Sequence, residues 1–151
     1  MSETRNNWRT PRWLFDQLDA EFHFELDAAA DSANALKSRY LWDALALPEW
    51  PGDVVWLNPP YGNCLAPFVR KAWEQAQLGK TVVALIPFRC RAAWWHDSVI
   101  GKAIEVRCVR KRIKFDTPEG QPSALTGTCD SCVVVWCGNG TGTTRLTGLV
   151  R

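Results

Sequence analysis

An apolar run that stops against two consecutive prolines constrains this chain more than any other feature. Residues 53–62 read Asp53-Val54-Val55-Trp56-Leu57-Asn58-Pro59-Pro60-Tyr61-Gly62. Val54 to Leu57 read as a buried strand. Neither proline can donate to a sheet ladder, so the strand must end there. Asn58 and Tyr61 are therefore presented on a stiff turn just past a strand's carboxyl end, the place where ligands bind in an open α/β sheet.

The rest of the chain alternates helical and extended patterns, which argues an α/β fold. Thr10 is expected to cap a helix with Pro11 at its first position, and Leu14 and Leu18 share a face of that helix. Residues 22–27 read as a strand, Phe22 and Phe24 alternating with His23 and Glu25, and residues 28–36 are small and helix-friendly. The motif strand covers 53–57. Apolar positions 65, 68, 69, 72, 73 and 76 form a helical stripe closed by Gly79. Residues 81–86 are a buried strand ending at Pro87, residues 91–101 a helix, and residues 104–109 a further strand. Residues 133–136 are apolar and β-branched, and 143–150 are expected to pair with them as a C-terminal hairpin across Gly138-Asn139-Gly140.

The chemistry that suits the Asn-Pro-Pro-Tyr turn is methyl transfer to an amino group conjugated with a ring or carbonyl. The lone pair of such a nitrogen is delocalised, so it attacks poorly. Two acceptors, the Asn58 side-chain carbonyl and the Pro59 backbone carbonyl, would take hydrogen bonds from both N–H groups and turn the lone pair toward a methyl donor. This is electrostatic preorganisation, because a neutral amide is not a base. Pro59 and Pro60 fix φ and with it the direction of the carbonyls, and Tyr61 would stack on a planar substrate. The bland alternative is a strand-ending turn with a core tyrosine. His96, after Trp94 and Trp95, is left out of the catalytic set because this chemistry needs no general base.

The quartet resembles the motif of amino-methyltransferases that use S-adenosylmethionine. Further residues narrow the likeness: Trp8-Arg9-Thr10-Pro11-Arg12-Trp13-Leu14-Phe15, then Leu26-Asp27-Ala28-Ala29-Ala30, Asn34-Ala35, Tyr40, Leu85-Ile86-Pro87, Trp95-His96 and Arg112-Ile113-Lys114-Phe115. In this order they resemble the small phage-borne DNA N6-adenine methyltransferases, the Dam-like phage family, over about residues 8–136. The resemblance implies a Rossmann-like class I methyltransferase fold, reduced in size, with a mostly parallel sheet. It implies S-adenosylmethionine as cofactor and double-stranded DNA as partner, in which the target adenine is flipped out and stacked on Tyr61. A single domain over 1–151 is expected, without a separate target-recognition domain and hence with short or relaxed sequence specificity.

Geometry and resemblance together outline the donor site. Asp27-Ala28-Ala29 ends a strand and opens a turn of tiny side chains that lets a ligand approach the backbone. The resemblance gives Asp27 the ammonium of the methionine moiety, although the family's usual glycines are alanines here. Thr10, at a helix N-terminus, suits the methionine carboxylate. Asp43, fifteen residues before Asn58, matches the acid that holds the cofactor's adenine amino group. Asn58 borders both donor and acceptor. Only sixteen residues separate Asp27 from Asp43, so the intervening strand is reduced to about Arg39–Trp42 or is missing; Asp31 is the nearest candidate for the ribose.

Composition adds limits. The formal net charge is +2, so global charge announces no nucleic-acid partner, but Arg107, Arg110, Lys111, Arg112 and Lys114 fall within eight residues. Arg110, Lys111, Arg112 and Lys114 are candidates for phosphate contact, and 110–132 is the longest segment free to reach DNA. No apolar run is long enough to cross a membrane and the polar N-terminus does not read as a signal peptide, so a cytoplasmic protein is expected, in the host cytoplasm if phage-encoded. No obligate protein partner is implied. The six cysteines are irregularly spaced and read as reduced thiols. Two other readings stand beside the main one: methylation of RNA or of a protein glutamine, and a non-catalytic zinc-dependent nucleic-acid-binding module on Cys129, Cys132 and Cys137.

Overall fold

Leu14, Phe15 and Leu18 recur at helical spacing and become the buried face of helix α1 (Arg12–Phe22). The computed structural model describes residues 9–117, 119, 121 and 129–151. Pro11, not Thr10, stands at the cap position, and no side chain caps the helix. The expected strand over 22–27 is not formed as such. Helix α1 runs through Phe22 and closes at His23, which turns left-handed (φ 57°) and donates its N–H to the Asp19 carbonyl. Phe24 then enters the core beside Phe15, ring centroids 5.7 Å apart, and strand β1 is only Leu26–Asp27. An alternation of two phenylalanines was produced by a helix end followed by a turn.

Residues 28–36 are not a helix either. Asp27 accepts the backbone N–H of Leu36 at 3.0 Å, and Asp31 accepts those of Ala33 and Asn34 at 2.7 and 3.0 Å. Carboxylates that capture nearby N–H groups compete with helical bonds and favour turns. Beyond them the short strand foreseen at 39–42 survives as one parallel bridge, Tyr40 beside Asp27, held by Asp27 N–H to the Arg39 carbonyl and Leu41 N–H to the Asp27 carbonyl.

The remaining elements are β2 (Val54–Leu57), α2 (Leu65–Gln77), β3 (Thr81–Pro87), α3 (Ala93–Ser98), β4 (Glu105–Val109), β5 (Ser131–Cys137) and β6 (Arg145–Leu149). Helix α3 is shorter than the 91–101 expected. Helix α2 buries Leu65, Phe68, Val69, Ala72 and Ala76, and Gly79 reverses the chain at φ 95°. The strand order is β1-β2-β3-β5-β4-β6. Strands β1, β2 and β3 are mutually parallel, β5 is antiparallel to both β3 and β4, and β6 is parallel to β4. Five strands thus run one way and β5 alone runs back, a mostly parallel mixed sheet.

The expected C-terminal hairpin is corrected by this order, because β4 lies between β5 and β6. The reason is a clip formed far away in sequence. The Thr144 hydroxyl accepts the Gly101 N–H and donates to the Ala103 carbonyl, both at 2.8 Å. Gly140 passes so close to the Lys102 carbonyl that a Cβ there would stand 2.5 Å from it. These contacts deliver residue 145 to the start of β4, where its N–H bonds the Ile104 carbonyl.

Two apolar clusters line the two faces of the sheet: one joins Val55, Leu57, Val82 and Ala84 to α2 and to Trp95 of α3, the other joins Trp56, Val83, Val133 and Val135 to α1. No helix among the described residues is long and apolar enough to cross a membrane.

Candidate active site

Strand direction gathers the site. Because β1, β2, β3 and β4 all point one way, Asp27, the turn at Asn58, the loop after Pro87 and the basic run after Val109 emerge at one edge of the sheet. The segment Arg9–Thr10 crosses this edge and pairs antiparallel with Asp116, N–H to carbonyl at 3.0 Å in both directions.

Asn58 and Thr10, forty-eight residues apart, meet there: the Asn58 amide NH2 donates to the Thr10 hydroxyl at 3.1 Å. That bond fixes the amide, so its carbonyl oxygen faces the other way as an acceptor. Thr10 is 1% exposed and serves as the holder of Asn58 rather than as a helix cap. Pro59 is buried and Pro60 half-buried. Tyr61 is half-buried, its ring edge-on to Phe115 with centroids 6.4 Å apart, and its enclosed hydroxyl has no hydrogen-bond partner among the described residues. Burial, and then the neighbouring Cys129 and Cys132 thiols, push the phenol above its ordinary range.

Asp27 is 3% exposed and lines a pocket together with Arg9, Thr10, Ala29, Trp56 and Asn58. Burial pushes its carboxyl up to about 6, against the hydrogen bonds from the Leu36 and Ala29 N–H groups, which hold it down. Ala28 is fully buried beneath the turn and donates its N–H to the Trp56 carbonyl. Asp43 is exposed on the 43–46 turn and is not part of this pocket wall. Asp31, occupied with its own turn, is not part of it either.

Among the basic residues, Arg110, Lys111, Arg112 and Lys114 are exposed. Arg112 lies 3.5 Å from Asp130. Arg107 is drawn away from the surface into ion pairs with Glu21 and Glu105. Of the 110–132 segment, residues 118, 120 and 122–128 lie outside the described residues. Sequence reasoning passed over four residues at this edge. Arg89 and Arg91 are exposed on the loop after β3, where Phe88 to Ala92 line a shallow hollow. Arg9 and Trp56 line the Asp27 pocket. Cys129 lies near Cys132, but Cys132 and Cys137 stand at the two ends of β5, about 16 Å apart at strand rise. No group of metal-binding side chains occurs among the described residues.

This fold is that of the class I S-adenosylmethionine-dependent methyltransferases. A putative enzyme of that class from Listeria monocytogenes superposes on 90% of this chain and 53% of its own, with a TM-score of 0.55 at 11% identity. Within that class the chain belongs to the DNA N-6-adenine-methyltransferase (Dam) family, which it matches over residues 1–141. It is 33% identical over 113 residues to the DNA N-6-adenine-methyltransferase of Haemophilus phage HP1 (strain HP1c1), covering 72% of this chain and 65% of that protein. It is 34% identical over 98 residues to the enzyme of the same name from Escherichia phage T1, covering 62% and 41%. The chain thus spans less than two thirds of the length of either relative.

Proposed function

We propose that this chain transfers the methyl group of S-adenosylmethionine to the N6 amino group of adenine in double-stranded DNA, in the cytoplasm of the cell that holds that DNA. The observation that carries the reading is the Asn58–Thr10 hydrogen bond, which leaves the Asn58 carbonyl as a fixed acceptor at the carboxyl edge of the sheet. The cofactor, when bound, supplies an electrophilic methyl group. The chain's residues do the rest. The Asn58 and Pro59 carbonyls accept the two N–H groups of the adenine amine and orient its lone pair. The charge that develops on that nitrogen is met by oriented carbonyl dipoles. The surplus proton of the methylated amine leaves to water, so no side chain need act as a base.

The lining of the donor pocket matches the chemistry of the cofactor's amino-acid half. Asp27 is an enclosed acid with two backbone N–H donors and no cationic partner among the described residues. A ligand ammonium would supply the missing positive charge and reverse the effect of burial. Ala28 and Ala29 keep the turn low enough for close approach. Asp43, exposed beyond the Tyr40 bridge, remains the residue proposed for the adenine amino group of the cofactor.

Tyr61 is the proposed platform for the flipped target base, with the Phe115 edge holding its ring upright. Arg110, Lys111, Arg112 and Lys114, joined by Arg89 and Arg91 from the neighbouring loop, form the proposed phosphate-contacting rim. Rim contacts of this kind carry affinity without sequence information, so methylation with little sequence context is expected. Transfer of labelled methyl to duplex DNA, with single-stranded RNA and a glutamine-containing peptide as competing acceptors, tests the reading. Label in adenine N6 of the duplex supports it. Label confined to RNA or peptide, or no binding of S-adenosylhomocysteine, overturns it.

A further inference from the structure

The Asp27 pocket holds two polar atoms that the described residues leave without partners. Trp56 is fully enclosed in β2, and its indole Nε1 has no hydrogen-bond acceptor. Arg9 is half-buried; one of its terminal nitrogens donates to the Ala33 carbonyl, while its Nε is buried without a partner. Both residues belong to the wall that Asp27 and Thr10 complete. Native folds seldom leave buried N–H groups unpaired, because each such group costs about 1–3 kcal/mol. Two in one pocket wall, with no acceptor among the described residues, suit a ligand that brings one, and the guanidinium charge favours an anion over a neutral carbonyl.

The pocket therefore offers an enclosed carboxylate together with two unsatisfied N–H donors, one of them cationic. That is the complement of an α-amino acid, whose ammonium and carboxylate are borne on one carbon. Resting on the methyltransferase reading above, we propose that Arg9 and Trp56 bind the α-carboxylate of the cofactor's methionine half while Asp27 takes its ammonium. Thr10, to which sequence alone gave the carboxylate, accepts the Asn58 amide and keeps its own O–H free to donate beside them. Trp56, in β2, stands two residues before Asn58 on the turn that follows, and both line this pocket. The strand and its turn thus carry both the donor that seats the cofactor and the acceptor that aims the target amine.

Titration calorimetry with S-adenosylhomocysteine and with methylthioadenosine, which lacks the amino-acid group, separates this role from a structural one. Trp56→Phe and Arg9→Gln should each weaken S-adenosylhomocysteine about tenfold or more, the cost of one hydrogen bond to a charged group, and leave methylthioadenosine affinity within experimental error. Equal weakening of both ligands, or of neither, overturns the assignment. Should Trp56→Phe fail to fold, Arg9→Gln alone decides, since Arg9 is only half-buried at the pocket's edge. Wild-type protein that binds neither ligand would instead remove the methyltransferase reading itself.

Discussion

Two clusters of charge in this molecule follow opposite rules. On the β4–β6 side, Glu105 accepts hydrogen bonds from Arg107 at 3.0 Å, Arg145 at 2.9 Å and the Thr147 hydroxyl at 2.8 Å. Arg107 also forks onto Glu21 of α1 at 2.6 and 2.7 Å, with the Phe22 ring 5.3 Å from its guanidinium. On the β1–β2 side, Asp27 is also enclosed, yet among the described residues it has only two backbone N–H groups, and the Arg9 Nε and Trp56 Nε1 donors have no partner. The first cluster satisfies itself and fastens a helix to the far strands. The second is left incomplete by the described residues. Burial raises the carboxyl in both places, but the Glu105 bonds overcome it and hold that group at about 2, whereas Asp27 stays at about 6. Enclosed charge that the fold does not neutralise marks the functional edge.

The largest expected effect lies at the incomplete edge. Asn58→Ala should leave the fold and S-adenosylhomocysteine binding intact and lower methyl transfer by about 10²–10³, as loss of one preorganised acceptor does. Thr10→Val, which frees the Asn58 amide to turn, should lower turnover in the same direction by less, because the acceptor is still present. Single-turnover methylation of saturating DNA measures both. Near-normal turnover of Asn58→Ala would remove the role given to the motif.

The next effect breaks the self-satisfied cluster. Glu105→Gln should destabilise the protein by about 3 kcal/mol, the equivalent of holding a carboxyl at about 2 instead of its ordinary 4.5. It should leave cofactor affinity unchanged. The sign follows from linkage: a depressed carboxyl contributes stability above its unfolded value, and that stability is lost as pH falls from about 4.5 through 2. Asp27 acts oppositely, since a raised carboxyl favours the empty fold below 3.8 and withdraws that contribution as pH rises through about 6. Denaturant melts of wild type and Glu105→Gln at several pH values test the contrast; parallel pH profiles would show that the network contributes nothing.

These contrasts also explain what the sequence could reveal. Strands β2 and β3 and helix α2 were legible because each buries an unbroken apolar run or a clean stripe. Their boundaries follow from Pro59, Pro87 and Gly79. The motif turn was legible for the same reason. Residues 22–36 were not, because His23 in a left-handed turn and the captures by Asp27 and Asp31 override propensity locally. The place of β6 was not, because it depends on Thr144 meeting residues some forty positions earlier. Asp27, Thr10 and Asn58, each named from the sequence, line one pocket, while the cap position foreseen for Thr10 falls to Pro11. Arg9 and Trp56 were missed altogether: a tryptophan inside an apolar run reads as core, and only the fold shows its N–H to be unpaired.

A smaller effect sharpens the ligand side. Affinity for S-adenosylhomocysteine should be flat above about pH 7 and fall about tenfold for each pH unit below 6, as Asp27 takes up the proton that a ligand ammonium must displace. Arg9 is the other ionisable group of the pocket wall. Calorimetry at pH 5, 6 and 7.5 reads the slope, and methylthioadenosine, without the ammonium, should show none. A common slope for both ligands would mean that some other group is titrating.

The smallest effect on the fold comes from charge that is neither sealed nor enclosed. Arg112 and Asp130 approach to 3.5 Å, with both side chains more than half exposed. An exposed pair of this kind contributes at most a few tenths of a kcal/mol. Arg112→Ala should accordingly leave the melting transition where it is. The same substitution should be visible on DNA, because a guanidinium that the fold hardly uses is free for a phosphate. Removing one cation from a phosphate lowers the slope of log affinity against log salt by about 0.9. Arg89→Ala and Lys114→Ala should behave like Arg112→Ala, whereas Arg107→Ala, whose charge is consumed by Glu21 and Glu105, should lower stability and leave the salt slope alone. Salt-dependent binding of a short duplex distinguishes the two groups. A changed slope for Arg107→Ala with none for the other three would place the DNA on the opposite side of β4.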